Sequence, residues 1–136
     1  MADHYRITAE RMNETSKLLH ANQHYHNSCY TSGYVAECYL KLLLSLIPGT
    51  NPRAGGHNIA NMDTDLSYFA TSGANVSIRS RIDMQVECPR IMNSWNPNKR
   101  YNDNCGWNNA ASNSFQLEQE KCYLKIIELF NNGLIS

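Results

Sequence analysis

The chain has 136 residues, of which 42% are hydrophobic and 18% are charged, a composition typical of one globular domain with its own core. Its 12 Lys and Arg balance 12 Asp and Glu, which excludes a strong overall field for nucleic acid or membranes, so a charged partner needs a local patch. No signal-type segment or membrane-length apolar run is present, and five cysteines without a CxxC pair predict free thiols in a cytoplasmic protein.

Helical spacing of apolar residues begins at the N-terminus. Residues 3–22 predict a moderately amphipathic helix, and residues 26–47 predict the strongest helix of the chain. Pro48 and Gly49 end this second helix before a loop rich in Gly and Pro. The residues of the second helix that repeat at intervals of four are Tyr30, Tyr34, Cys38, Leu42 and Leu46.

The second half of the chain predicts three more helices. A short third helix spans Ile59 to Phe69, and a fourth runs from Val76 to Ile91 with a kink or division at Pro89. Residues 96–113 are polar and rich in Gly and Asn, which predicts a long functional or mobile loop. A last helix from Ser114 to Asn132 is capped by Gly133. With no alternating strand pattern, the fold class is all-α, an antiparallel up-and-down bundle of about five helices in one domain over residues 1–136.

The segment LLHANQHYHNSC, residues 18–29, concentrates three of the five histidines. One interpretation is a metal site built from His20, His24, His26 and Cys29. The other is a turn between two antiparallel helices, with Cys29 as a small buried residue. Because the segment has no second ligand pair elsewhere, we favour the turn, and we predict neither a metal nor a cofactor.

Three short motifs follow one another along the chain. Ala36-Glu37-x-x-Leu40-Lys41 precedes a Leu-rich turn, Gly56-His57-Asn58-Ile59 precedes Met62, and Lys99-Arg100-Tyr101 follows the fourth helix. In order and spacing, from about residue 5 to 132, they resemble the HEPN (higher eukaryotes and prokaryotes nucleotide-binding) domain family, in the branch with Arg-Tyr after the fourth helix. The resemblance implies a helical bundle that binds nucleotide or RNA. It also implies a toxin–antitoxin or defence setting, with a nucleotidyltransferase-type partner protein.

The chain departs from the family at two places. Asn102 stands where that branch typically has Pro after Arg-Tyr. HEPN ribonucleases use a late Arg followed after a spacer by His, whereas the last histidine here is His57. The ribonuclease site is therefore not carried over, and whether the protein is an enzyme stays open.

Five residues form the candidate nucleotide- or phosphate-binding site. Glu37 and Lys41 are spaced for a helix ion pair, and His57 precedes a helix N-terminus that favours anions. Arg100 offers a planar donor for phosphate and Tyr101 a ring for stacking. In the structural alternative, His57 caps its helix, Arg100 pairs with Glu37, and Tyr101 packs on the bundle. DNA binding is not predicted.

A second function comes from another class of protein. The tyrosines of the second helix suit either a core or the seam of a homodimer. On that basis the chain is a non-catalytic, dimeric protein-interaction module. The residues concerned are Tyr30, Tyr34 and Tyr39.

Overall fold

The computed structural model describes residues 4–71, 76–102 and 104–136. These residues contain helices and no strand, so the all-α prediction is confirmed. No helix in the described part is long and apolar enough to cross a membrane. The helices are α1 (Tyr5–Ala21), α2 (Tyr25–Ser45), α3 (Ile59–Thr71), α4 (Val76–Arg79), α5 (Met84–Glu87), α6 (Pro89–Ser94) and α7 (Asn109–Asn131), with 3₁₀ turns at Pro52–Gly55 and Pro97–Tyr101.

Helix α2 is the centre of the bundle. It packs against α1, α3 and α7, and every residue from 35 to 44 is buried. A helix that is covered on all sides needs an apolar sequence all round, and its Leu-rich second half supplies one. Two charged residues, Glu37 and Lys41, are buried in the same stretch and therefore need partners.

The three longest helices do not all alternate in direction. At one end of the bundle, Nδ1 of His20 near the end of α1 lies 2.7 Å from the hydroxyl of Ser112 near the start of α7. At the other end, the guanidinium of Arg6 lies 4.1 Å from the centroid of the Phe130 ring. Helix α1 is thus antiparallel to α7. The Ser112 hydroxyl also donates to Ser28 in the first turn of α2, so α2 and α7 run in the same direction.

The predicted fourth helix is divided at Pro89 as expected, and a second division makes it three short helices. Residues 81–83 leave the helical conformation between α4 and α5, where the Tyr39 hydroxyl accepts the N–H of Ile82. The Asp83 carboxylate then caps α5 by accepting the N–H groups of Gln85 and Val86. The expected division comes at Cys88, and Pro89 opens α6, as its fixed φ and missing donor predict.

The last helix begins five residues before the predicted Ser114. The side chain of Asn108 accepts the backbone N–H of Ala111 and is the N-cap of α7, a role for which Asn is well suited. The predicted C-terminal cap is confirmed, since Gly133 has a φ of 72° and donates its N–H to the Phe130 carbonyl.

Candidate functional site

The buried carboxylate of Glu37 accepts hydrogen bonds from two side chains, one on each oxygen. The ammonium of Lys41 donates to Oε2 at 3.3 Å, and the Nδ1–H of His57 donates to Oε1 at 2.7 Å. Glu37 is 4% exposed, and a carboxylate that is removed from water requires such partners. The side chain of His57 is 53% exposed, so Glu37 fixes a ring that reaches the surface.

Two tyrosines continue from His57 along α2. The Tyr34 ring meets the His57 ring edge-on, with centroids 5.7 Å apart, and its hydroxyl lies 3.2 Å from that of Tyr30. Burial, followed by the hydrogen bond with Tyr30, raises the pKa of the Tyr34 hydroxyl well above its ordinary value. The Tyr34 hydroxyl is therefore a neutral hydrogen-bonding group at physiological pH.

The 3₁₀ turn at Pro97–Tyr101 places Arg100 between two aromatic rings. Its Nη1 donates to the Tyr30 hydroxyl at 3.0 Å. Its guanidinium carbon lies 5.2 Å from the centroid of the Tyr30 ring and 4.9 Å from that of the Tyr101 ring, within the range of a cation–π interaction. Tyr101 is 80% exposed, so most of its ring is open to a ligand.

Trp95 holds this turn against α2. Its indole N–H donates to the Tyr30 carbonyl at 3.0 Å, and its ring meets Tyr34 edge-on at 5.1 Å. A Cβ at Gly33 would lie 2.0 Å from the Trp95 ring, so only glycine allows the indole to approach the helix this closely. The position of Arg100 and Tyr101 therefore depends on a glycine in the middle of α2.

The structure brings the five predicted site residues onto one continuous path of contacts. Lys41, Glu37 and His57 are in direct contact, and Tyr34 and Tyr30 connect His57 to Arg100. We call the exposed part of this path the α2–turn surface; it consists of His57, Tyr34, Tyr30, Arg100 and Tyr101.

Two structural alternatives for these residues are wrong. Arg100 contacts Tyr30 rather than Glu37, and Tyr101 is exposed rather than packed on the bundle. The sequence did not assign Tyr30 and Tyr34 to the site. Their spacing with Glu37 and Lys41, of four, three and four residues, marks a single helix face and was the available signal.

The histidine-rich segment divides among separate neighbours. His20 contacts Ser112, Nδ1 of His26 lies 3.9 Å from Sγ of Cys105, and Cys29 is fully buried. His24 is the exposed N-cap residue of α2. Within residues 4–71, 76–102 and 104–136, no group of three or more His, Cys, Asp or Glu is placed to hold a metal ion.

A cavity of about 760 Å³ lies apart from the α2–turn surface, between the start of α1, the end of α2 and the C-terminal residues. Its lining includes Arg6, Leu42, Leu46 and Ile135. Because none of the five predicted site residues lines it, it is not part of the α2–turn surface.

Compared with known proteins, the chain matches no family model, no curated protein and no solved structure.

Proposed function

We propose that the protein binds a nucleotide or the phosphate backbone of single-stranded RNA at the α2–turn surface. The observation that carries the proposal is the exposed pair of Arg100 and Tyr101, in which a guanidinium lies against a ring that is 80% exposed. His57 is the second contact for phosphate. Glu37 and Lys41 are buried and act as positioning residues beneath it.

The chemistry of the surface suits this ligand. Bases stack on exposed aromatic rings in a sequence-tolerant way, and arginine next to such rings contacts both phosphate and base. The N–H groups of Arg100 that do not bond Tyr30 are donors for phosphate oxygens. Since the chain has no net charge, the exposed guanidinium of Arg100 supplies a local attraction for phosphate that the whole molecule lacks.

We propose that the protein binds its nucleotide or RNA ligand, and we do not propose that it cleaves the ligand. The late Arg-spacer-His motif of HEPN ribonucleases is absent from the sequence, because the last histidine, His57, precedes α3. The resemblance to HEPN domains extends the proposal to a toxin–antitoxin or defence setting, with a nucleotidyltransferase-type protein as partner. That extension depends on the order and spacing of the motifs alone and is secondary to the ligand.

The homodimeric interaction module has less support. Tyr39 is fully buried within the chain, and its hydroxyl accepts the N–H of Ile82. Tyr30 and Tyr34 bond each other and serve as neighbours of Arg100 and His57. The tyrosines that suggested a dimer seam therefore have partners inside the same chain.

A melting-temperature screen with nucleotides and short single-stranded RNA tests the proposal. A ligand that binds the folded state at a hundred times its Kd stabilises that state by about 2.7 kcal/mol. We expect a rise in the melting temperature of the natural chain. We expect Arg100→Ala to lose most of that rise while keeping the ligand-free melting temperature, because Arg100 is exposed.

Two further variants complete the screen. Arg11→Ala removes the same charge from the exposed surface of α1 and is the matched control, which should keep the ligand-induced rise. His57→Asn keeps a side-chain N–H donor for Glu37 and removes the imidazole ring. It therefore tests whether His57 is the second contact for phosphate. If no nucleotide or RNA shifts the natural chain, or if Arg11→Ala and Arg100→Ala reduce the shift equally, the proposal is wrong.

A further inference from the structure

The cavity of about 760 Å³ at one end of the bundle is a candidate for a second binding site. It lies between the first turn of α1, the last turn of α2 and residues 133–136, and residues of the 3₁₀ turn at Pro52–Gly55 also line it. Sites for small molecules typically have volumes of about 300–1,000 Å³. Since no residue of the α2–turn surface lines this cavity, a ligand here is separate from the proposed nucleotide or RNA ligand.

The wall that α2 contributes to this cavity is apolar. Leu42 and Leu46 are four residues apart at the C-terminal end of α2, and Leu134 and Ile135 line the cavity with them. Leu46 and Ile135 are only partly buried, and Leu134 is 44% exposed, so apolar surface here remains in contact with solvent. The carbonyl groups of residues 42–44 already accept hydrogen bonds from residues 45–47. This wall therefore suits an apolar group of a ligand.

Positive charge lies on the other elements that line the cavity. Arg6 in the first turn of α1 and Arg53 in the 3₁₀ turn are lining residues, and no lining residue in the described part of the chain is Asp or Glu. Helix α1 begins here without an acidic residue in its first turn, so the positive end of its dipole adds to the charge of Arg6. Cations next to an apolar wall indicate a ligand with an anionic end and an apolar body.

Arg6 is the cation best placed for the anionic end. Its guanidinium lies 4.1 Å from the centroid of the Phe130 ring, and this contact fixes the direction of the side chain. Nη1 of Arg6 lies 4.0 Å from the carboxylate of Glu10, which is beyond hydrogen-bonding distance. Because the Glu10 side chain is 46% exposed, this surface ion pair is weak. The terminal N–H groups of Arg6 can therefore donate to the carboxylate of a ligand.

We propose that this cavity binds a medium-chain fatty acid, whose carboxylate accepts hydrogen bonds from Arg6 and whose hydrocarbon chain lies against Leu42 and Leu46. A carboxylate has the planar, two-oxygen geometry that a guanidinium binds best. The hydrocarbon chain covers the apolar wall and removes it from water. Arg53 adds a second positive charge at the carboxylate end.

Isothermal titration calorimetry of the full-length chain with decanoate, at concentrations below those at which decanoate aggregates, tests the proposal. We expect saturable binding of one decanoate per chain. Octanoate is two methylenes shorter and should bind about tenfold more weakly. Decyltrimethylammonium has a chain of the same length and the opposite charge, and it should bind about tenfold or more weakly than decanoate.

Three variants locate the binding site. Arg6→Gln removes the charge and keeps a side chain of similar length on the Phe130 ring, and it should weaken decanoate binding about tenfold or more. Arg11→Gln, on the exposed surface of the same helix, is the matched control and should bind decanoate like the natural chain. Ser45→Trp replaces an exposed lining residue with a large ring that fills part of the cavity, and it should also weaken binding.

Circular dichroism shows whether each variant folds. If Arg6→Gln does not fold, Ser45→Trp and the comparison of decanoate with decyltrimethylammonium decide the question. The proposal is overturned if the natural chain shows no saturable binding of decanoate, or if it binds the two amphiphiles equally. Equal affinities of folded Arg6→Gln and Arg11→Gln also overturn it, as does a folded Ser45→Trp that binds decanoate like the natural chain.

Discussion

At the scale of single residues, one side chain of α7 caps the start of the short helix α6. Glu118 on α7 accepts the backbone N–H groups of Arg90 at 3.2 Å and Ile91 at 2.8 Å. Helix α6 is thus capped by a carboxylate from another helix, whereas its own N-cap residue, Cys88, makes no side-chain cap bond. Acidic groups stabilise helix N-termini by satisfying free N–H groups and opposing the helix dipole.

Glu118 should make stability depend on pH in an unusual direction. Burial raises the pKa of its carboxyl above the ordinary value of 4.5, although the two backbone N–H groups oppose the change. An acid with a higher pKa in the folded state binds its proton first in that state, so lowering the pH between the two values adds stability. We expect the free energy of unfolding of the natural chain, relative to Glu118→Gln, to rise from pH 7 towards pH 4.5, by at most about 1.4 kcal/mol per pH unit.

Denaturant unfolding of both proteins across this pH range measures the difference. The matched control is Glu128→Gln, which changes an exposed glutamate of the same helix and should show no such rise. A difference that falls as the pH is lowered would mean that the hydrogen bonds to α6 outweigh burial at Glu118.

At the scale of helices, a buried polar seam holds α1, α2 and α7 together. The amide of Gln116 on α7 donates to the hydroxyls of Ser16 on α1, and of Ser28 and Ser32 on α2. The small serine side chains allow the three helices to approach closely, and their hydroxyls satisfy one another. Connected networks of this kind specify one packing arrangement, because any shift leaves buried groups unpaired.

Gln116→Ala should destabilise the fold by about 1–3 kcal/mol, since it leaves three buried hydroxyls without their shared donor. Equilibrium unfolding in urea gives the value. Asn113→Ala, about one turn earlier, is the matched control, because Asn113 is exposed and its side-chain amide donates to Asn109 of its own helix. If the two variants lose equal stability, the seam adds nothing beyond ordinary helix propensity.

The sequence predicted the elements whose signal is local. Helices α1, α2, α3 and the body of α7 carry apolar periodicity over many residues, and their predicted bounds differ from the structure by a few residues. The divisions between α4, α5 and α6 depend partly on Tyr39 and Glu118, which lie far away in sequence. The start of α7 was missed because Asn108 is one of many asparagines, and its role as N-cap appears only in the fold.

At the scale of the whole molecule, three distant segments meet at the α2–turn surface. The motifs identified Glu37, Lys41, His57, Arg100 and Tyr101, and contacts through Tyr30 and Tyr34 join them. Sequence spacing could not show that Tyr30 separates Arg100 from Glu37, because this depends on how Trp95 docks at Gly33. The same spacing could not pair Cys105 with His26.

A binding isotherm with a fluorescently labelled single-stranded RNA tests the central claim most directly. Fluorescence anisotropy gives the Kd of the natural chain, of Tyr101→Ala and of Tyr68→Ala, which changes a tyrosine of α3 that is 70% exposed. Loss of a stacked base costs about 1–3 kcal/mol, so Tyr101→Ala should weaken binding about fivefold or more, while Tyr68→Ala leaves it unchanged. Equal affinity of Tyr101→Ala and the natural chain would contradict an RNA-binding role for this surface.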